Sequence, residues 1–262
     1  MASGKSLFLP EVIFEVTPVD LEADLFYSFS LPKSKRWHDF LYRAYPKLKE
    51  ILESSKQKKE KLEQLKLFVQ ENVGKNEEKI VLAKKEIEAG WGPISAGFLR
   101  TLAEHFETDW PEDKPVIKGY ISIQPVYPRF LDTYSFCVGY WEPEKMKEVV
   151  AHEILHFLWF KKWKEVFPQI DRKEYEGPHL VWRLSEVMDP VILQCHPKLA
   201  ELIRPVKWGY SSFKNITIDG IEMVHYFAQV YKNCVSAGYP FEQTIRVLWD
   251  EAQKHREALE CF

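Results

Sequence analysis

Between Val149 and Phe160 the chain carries one formally charged side chain, Glu153, in a run otherwise made of Val, Ala, Ile, Leu, Phe, Trp and two histidines. A stretch this apolar all round belongs inside a fold, and its length suits a buried helix of about three turns. On such a helix His152 and His156, four positions apart, lie one turn above each other on one face. Glu153 sits beside the first of them. Two imidazoles and a carboxylate are costly to bury unless something satisfies them. The feature therefore predicts both a core helix and a polar object held against it.

The chemistry of that object follows from the donors. Two neutral imidazoles on a rigid scaffold form the borderline-soft site that Zn²⁺ favours. A neighbouring carboxylate can take a proton from a water activated there. The bare five-residue pattern arises by chance in roughly 3 of 100 chains of this size and composition. Its apolar flanks, Val149-Val150-Ala151 and Phe157-Leu158, narrow the reading to a buried helix with one polar side. The plainer alternative is a core helix whose histidines find ordinary hydrogen-bond partners.

The segment from Val149 to Leu158 resembles the zinc-binding helix of the zincin metallopeptidases. The resemblance implies that His152 and His156 bind one zinc ion and that Glu153 is the general base. It also implies a zincin-like layout, in which a small antiparallel sheet lies beside the zinc helix and an edge strand holds peptide. Metzincins place a Gly and a third His soon after the second His; here Phe157-Leu158-Trp159-Phe160-Lys161-Lys162 follows, which has neither. The gluzincin branch draws its third ligand, a Glu, from a second helix. Leu184-Ser185-Glu186-Val187-Met188-Asp189 resembles that segment, with Glu186 falling 30 positions after His156. Asp189 then stands where a carboxylate could accept the outer N–H of a ligating His. It is three positions from Glu186, whereas thermolysin-like gluzincins usually space the pair by four. Glu174, Glu176 and His179 are rivals for the third position.

Local signals support the second helix. Gly177-Pro178 breaks the chain, with Pro178 suited to a first helical turn. Leu180, Val181, Leu184, Val187 and Met188 recur at helical spacing, and Pro190 ends or kinks the helix. An oxyanion donor, which gluzincins often add, is sought among His179, Tyr210, His225, Tyr226 and Tyr231. None of these carries a motif of its own.

Composition excludes several classes. Thirty-six basic against 39 acidic residues give a net charge of −3, so no basic field points to nucleic acid. No apolar run approaches the ~20 residues that cross a bilayer. The start, Met1-Ala2-Ser3-Gly4-Lys5, lacks the apolar core of a signal peptide. Cys137, Cys195, Cys234 and Cys261 are scattered, with no metal-knuckle or redox spacing. These readings point to a cytoplasmic protein with free thiols, away from membranes, and the zincin resemblance implies a peptide or protein as its substrate.

Along the chain the expected class is α+β and mainly helical. Leu7 to Val16 reads as a strand or extended arm. A helix is expected from Ser34 to Glu53, with Trp37, Phe40, Leu41, Leu48 and Ile51 as its stripe and Pro46 as an irregularity. Residues 56 to 89, rich in Lys and Glu, read as a helical hairpin or a single broken long helix, in which Gly74 stops one arm and Asn76 caps the next. Gly90-Trp91-Gly92-Pro93 is the expected boundary between a helical N-terminal region, 1–90, and a zincin-like domain, 91–262. A helix Ile94–Phe106 follows it. Val116–Gln124 and Thr133–Tyr140 then alternate as strands, joined as a hairpin by Pro125–Asp132. Pro143 opens the motif helix, and two further helices fill Asp219–Cys234 and Phe241–Leu259. Against the hydrolase stand two other readings, a zinc-stabilised helical binding protein without catalysis and a zincin-scaffold hydrolase of small amides or esters.

Overall fold

The computed structural model describes residues 7–31, 34–203 and 211–261. In chain order these form β1 (Glu11–Val16), α1 (Val19–Phe29), α2 (Lys35–Ala44), α3 (Pro46–Leu52), α4 (Lys58–Lys75) and α5 (Glu77–Phe106). Next come β2 (Val116–Ser122), β3 (Arg129–Phe130), β4 (Ser135–Gly139), α6 (Met146–Val166) and α7 (Leu180–Cys195). The chain closes with α8 (Pro197–Ile203), β5 (Thr217–Ile218), β6 (Ile221–Glu222), α9 (Met223–Ser236), α10 (Phe241–Lys254) and α11 (Arg256–Glu260). The class is mainly helical α+β, as expected. Two compact units share the chain: one comprises residues 1–10, 94–115 and 148–262, the other residues 11–93 and 116–147.

The second unit holds a four-stranded sheet in the order β1-β2-β4-β3. Here the expected hairpin fails. β2 runs parallel to both β1 and β4, and only β3 pairs antiparallel with β4. Alternation reveals which side chains share a face but not the direction of the neighbouring strand. Pro125 and Pro128 keep the chain from turning straight back after β2. The reversal comes instead just before β4, where Tyr134 adopts a left-handed φ of 50°. A small antiparallel pair does exist, in β5 and β6 of the first unit.

Gly119 sets the packing of this sheet. A Cβ there would lie 2.5 Å from Phe14 and 3.2 Å from Phe136, which meet edge-to-face across it. Both rings are buried, so neither can swing into solvent. Gly119→Ala should therefore destabilise the protein by about 1–3 kcal/mol, the usual cost of overpacking. Gly92→Ala is the contrast, because a Cβ there meets nothing within 4 Å. That helical site should gain about 0.5–1 kcal/mol. Denaturant midpoints of the two variants check the opposite signs.

The helices of the second unit follow the sequence closely. Pro46 divides the expected long helix, because the residue before a proline is pushed out of the helical region. Tyr45 accordingly sits at φ −138°, ψ 82° and joins Phe26 and Phe68 in a cluster of perpendicular rings. Leu41 and Leu48 are buried, while Phe40 of the expected stripe faces outward at 56 % exposure. The charged stretch forms α4 and the start of α5, separated by the single residue Asn76. Asn76 accepts Ile80 N–H through its carbonyl, yet its side chain bonds back to Asn72 O at 2.8 Å.

The break expected at Gly90-Trp91-Gly92-Pro93 does not occur, for α5 runs through it for 30 residues. Proline removes one backbone bond and crowds the carbonyl four residues back. Trp91, two residues before the proline, is 1 % exposed. The two compact units nevertheless divide α5 at this place, between Pro93 and Ile94.

In the first unit, Phe106, Trp159 and Phe241 form a knot of edge-to-face rings, extended through Trp163 to Trp249. α7 is buried on every side from Leu180 to Leu193 and packs against α8, α9 and α11. It starts two residues later than Pro178 suggested, with His179 at the N-cap and Gly177-Pro178 in the cis form. Pro190 does not end it. The four cysteines are free. Among the described residues no helix is long and apolar enough to cross a membrane.

Candidate metal centre

α6 and α7 supply every side chain of the expected site, all within the first unit. α6 is anchored by Val150, Ala151, Ile154, Leu155, Phe157, Leu158 and Trp159, each at most 1 % exposed. Burial of such side chains stabilises by about 1.5–3 kcal/mol each for the larger ones. It leaves the polar side of the helix no freedom to rotate away. His156 is fully buried, Glu186 is 2 % exposed and Asp189 fully buried, while the His152 side chain keeps 23 % exposure.

The donor atoms converge. His152 Nε2 and His156 Nε2 are 3.1 Å apart. Glu186 Oε2 lies 3.4 Å from His152 Nε2, and Glu186 Oε1 lies 3.5 Å from His156 Nε2. Among the described residues, His152, His156 and Glu186 form a group whose donor atoms, within 4.8 Å of one another, could hold a metal ion. The spacing can be tested against zinc. Ligands about 2.1 Å from a tetrahedral ion stand about 3.4 Å from each other, since the edge of a tetrahedron is about 1.6 times its radius. The distance between the two histidine nitrogens lies within a few tenths of an ångström of that edge, and each histidine has its own Glu186 oxygen at a similar distance. The donor set of two imidazoles and a carboxylate fits as well.

Asp189 does more than the sequence suggested. Its Oδ2 lies 3.0 Å from His152 Nδ1, the contact expected of a carboxylate that fixes the outer nitrogen of a ligand. The same oxygen also lies 3.0 Å from His156 Nε2. Three residues on from Glu186 it remains on the same side of α7, close enough to hold both rings. Directly after Asp189, Pro190 has no N–H to give the carbonyl of Glu186, so the helix backbone is relieved of one bond at the site.

The field at the site is strongly negative. Burial works against a charged His152, but Asp189, Glu186 and Glu153 outweigh it and hold the imidazole well above its ordinary range. Glu153, 5 % exposed, thus acts electrostatically on the first histidine. On the far side of His156 the Phe160 ring stacks at 5.7 Å, and Tyr175 stacks on Phe160 at 4.8 Å. This stack was not read from the sequence, although Phe160 lies four residues after His156 and so on the same helix face. Arg183 anchors α7 by donating to Pro178 O at 2.7 Å and to Leu259 O at 2.8 Å.

The other candidates lie elsewhere. His179 is 3.5 Å from Glu174, and neither joins the metal-competent group; nor does Glu176. His225 pairs with Glu222 at 3.6 Å. Tyr226 donates to Glu251 and lies 3.1 Å from His255 Nε2, while the Tyr231 hydroxyl is 3.0 Å from His105 Nε2. Tyr210 lies outside the described residues.

Comparison with known proteins returns no family model, curated protein or solved structure that matches the chain. The zincin resemblance therefore rests on the amino-acid sequence alone.

Proposed function

We propose that this chain is a zinc-dependent hydrolase, a gluzincin-type metallopeptidase that cleaves peptide bonds. The observation that carries the reading is the convergence of His152, His156 and Glu186, whose donor atoms lie within 4.8 Å of one another. Three protein donors leave one position for water, the arrangement of catalytic zinc, whereas structural zinc usually takes four and favours cysteine. When bound, zinc supplies a Lewis acid that acidifies water and polarises a carbonyl. His152, His156 and Glu186 would hold it. Asp189 fixes the tautomer of His152 through Nδ1 and keeps its metal-facing nitrogen basic. Glu153 takes the proton of the attacking water and delivers it to the leaving amine. The buried surroundings strengthen each of these charge interactions.

The purified chain should carry about one equivalent of zinc and cleave members of a peptide library. A chelator should stop cleavage and added zinc restore it. A zinc-loaded chain that leaves peptides intact but turns over small amides or esters would keep the mechanism and change the substrate class.

One observation favours a second reading. Only His152 of the three metal donors has appreciable exposure, and so enclosed a site also suits a non-catalytic, zinc-stabilised helical binding protein. In that case zinc removal unfolds the first unit, and no substrate is turned over.

A further inference from the structure

The second unit buries another acid, remote in sequence from the metal centre. Glu22 of α1 is 1 % exposed and faces the end of β2. Ser122 Oγ donates to its Oε1 at 2.8 Å, and the same oxygen of Ser122 accepts Gln124 N–H at 2.9 Å. Gln124, fully buried, donates through Nε2 to the backbone carbonyl of Glu22 at 3.2 Å. The hydroxyl protons of Thr17 and Tyr45 are spent on Ile121 O and Ile123 O, at 2.9 and 2.6 Å. Two buried acceptors, Glu22 Oε2 and Gln124 Oε1, are then left with no hydrogen-bond partner. Buried acceptors without donors cost about 1–3 kcal/mol each, so a network this enclosed calls for one more proton.

We propose that Glu22 is a proton-operated latch between α1 and the end of β2. The neutral acid turns Oε2 from an acceptor that lacks a donor into a donor; the ion leaves that oxygen short of a proton in a dry interior. Burial is the dominant influence on this carboxyl and pushes it up to about 7, outweighing the bond from Ser122, which favours the ion. The titratable groups on this side are Tyr45 at the start of α3 and Tyr140 behind it, both held neutral by burial. From α4, Phe68 packs on Phe26, while Lys66 pairs with the exposed Asp20 of α1. An acid that holds its proton more tightly when folded takes one up on folding. The latch therefore weakens as pH rises from about 4.5 to about 7, and stays weaker above that.

The test is hydrogen exchange of α1 and β2 amides in the full chain and in Glu22→Gln, whose amide mimics the neutral acid and can donate. Between pH 4.5 and 8 the protection of the wild-type chain relative to the variant should fall on the order of 100-fold. Parallel profiles would overturn the proposal. Ser122→Ala removes a bond that favours the ion and should move the fall to higher pH; an unmoved profile counts against the latch. Infrared spectra at pH 6 give a reading that does not depend on any variant's stability. A protonated carboxyl band should be present in the wild-type chain and missing from Glu22→Gln, and its absence from the wild type refutes a neutral Glu22.

Discussion

Glu186→Ala should leave the chain folded and almost without zinc. The carboxylate is the sole acidic member of the metal-competent trio and lies within 3.5 Å of both imidazole nitrogens. Losing an outer partner of a ligand typically weakens metal binding about 10–100-fold, so losing a ligand itself should exceed about 100-fold. Removal also relieves a buried negative charge, so the fold should tolerate the change in the absence of metal. Titration with a competing zinc indicator measures the affinity directly. An unchanged affinity would take Glu186 out of the site, and Asp189, 3.0 Å from His156 Nε2, would become the leading ligand.

Glu153→Gln should have the opposite profile: zinc retained, turnover lost. The side chain is not among the metal-competent group, so the affinity for zinc should change less than tenfold, about 1.4 kcal/mol. As the base that accepts the water proton it should account for a factor of about 10²–10⁴ in kcat. Gln keeps the shape and the hydrogen-bonding capacity but cannot accept that proton. Zinc content and hydrolysis measured on one preparation separate the two effects. Undiminished hydrolysis removes Glu153 from the mechanism, and loss of zinc along with activity makes it a structural support of the site.

The site was more legible than the sheet, for a physical reason. A helix fixes its own periodicity, so His152 and His156 share a face whatever surrounds them, and the apolar residues around them say which face is inward. The position of Glu186 relative to them depends on a second helix, whose start signals and stripe were also local. What the sequence did not disclose was the reach of Asp189 to both histidines. That depends on the approach of α6 and α7, which no single segment encodes. The sheet shows the same limit more strongly. The alternation in Val116–Ser122 is plain, but its parallel partners, β1 and β4, are chosen by topology and not by pattern. Prolines misled in one direction only. Pro93 read as a break and Pro190 as an end or a kink, yet both lie inside helices that continue past them. At Pro46 the local rule prevailed.

The central claim is that the first unit holds one zinc ion on three protein donors. A crystal structure of the zinc-loaded chain tests it most directly, with the metal located by anomalous scattering. The account predicts His152, His156 and Glu186 about 2.0–2.2 Å from the ion, Asp189 outside the coordination sphere on His152 Nδ1, and the fourth position taken by water. A fourth protein ligand, whether Asp189 or any other, would close the site to water and contradict the hydrolase.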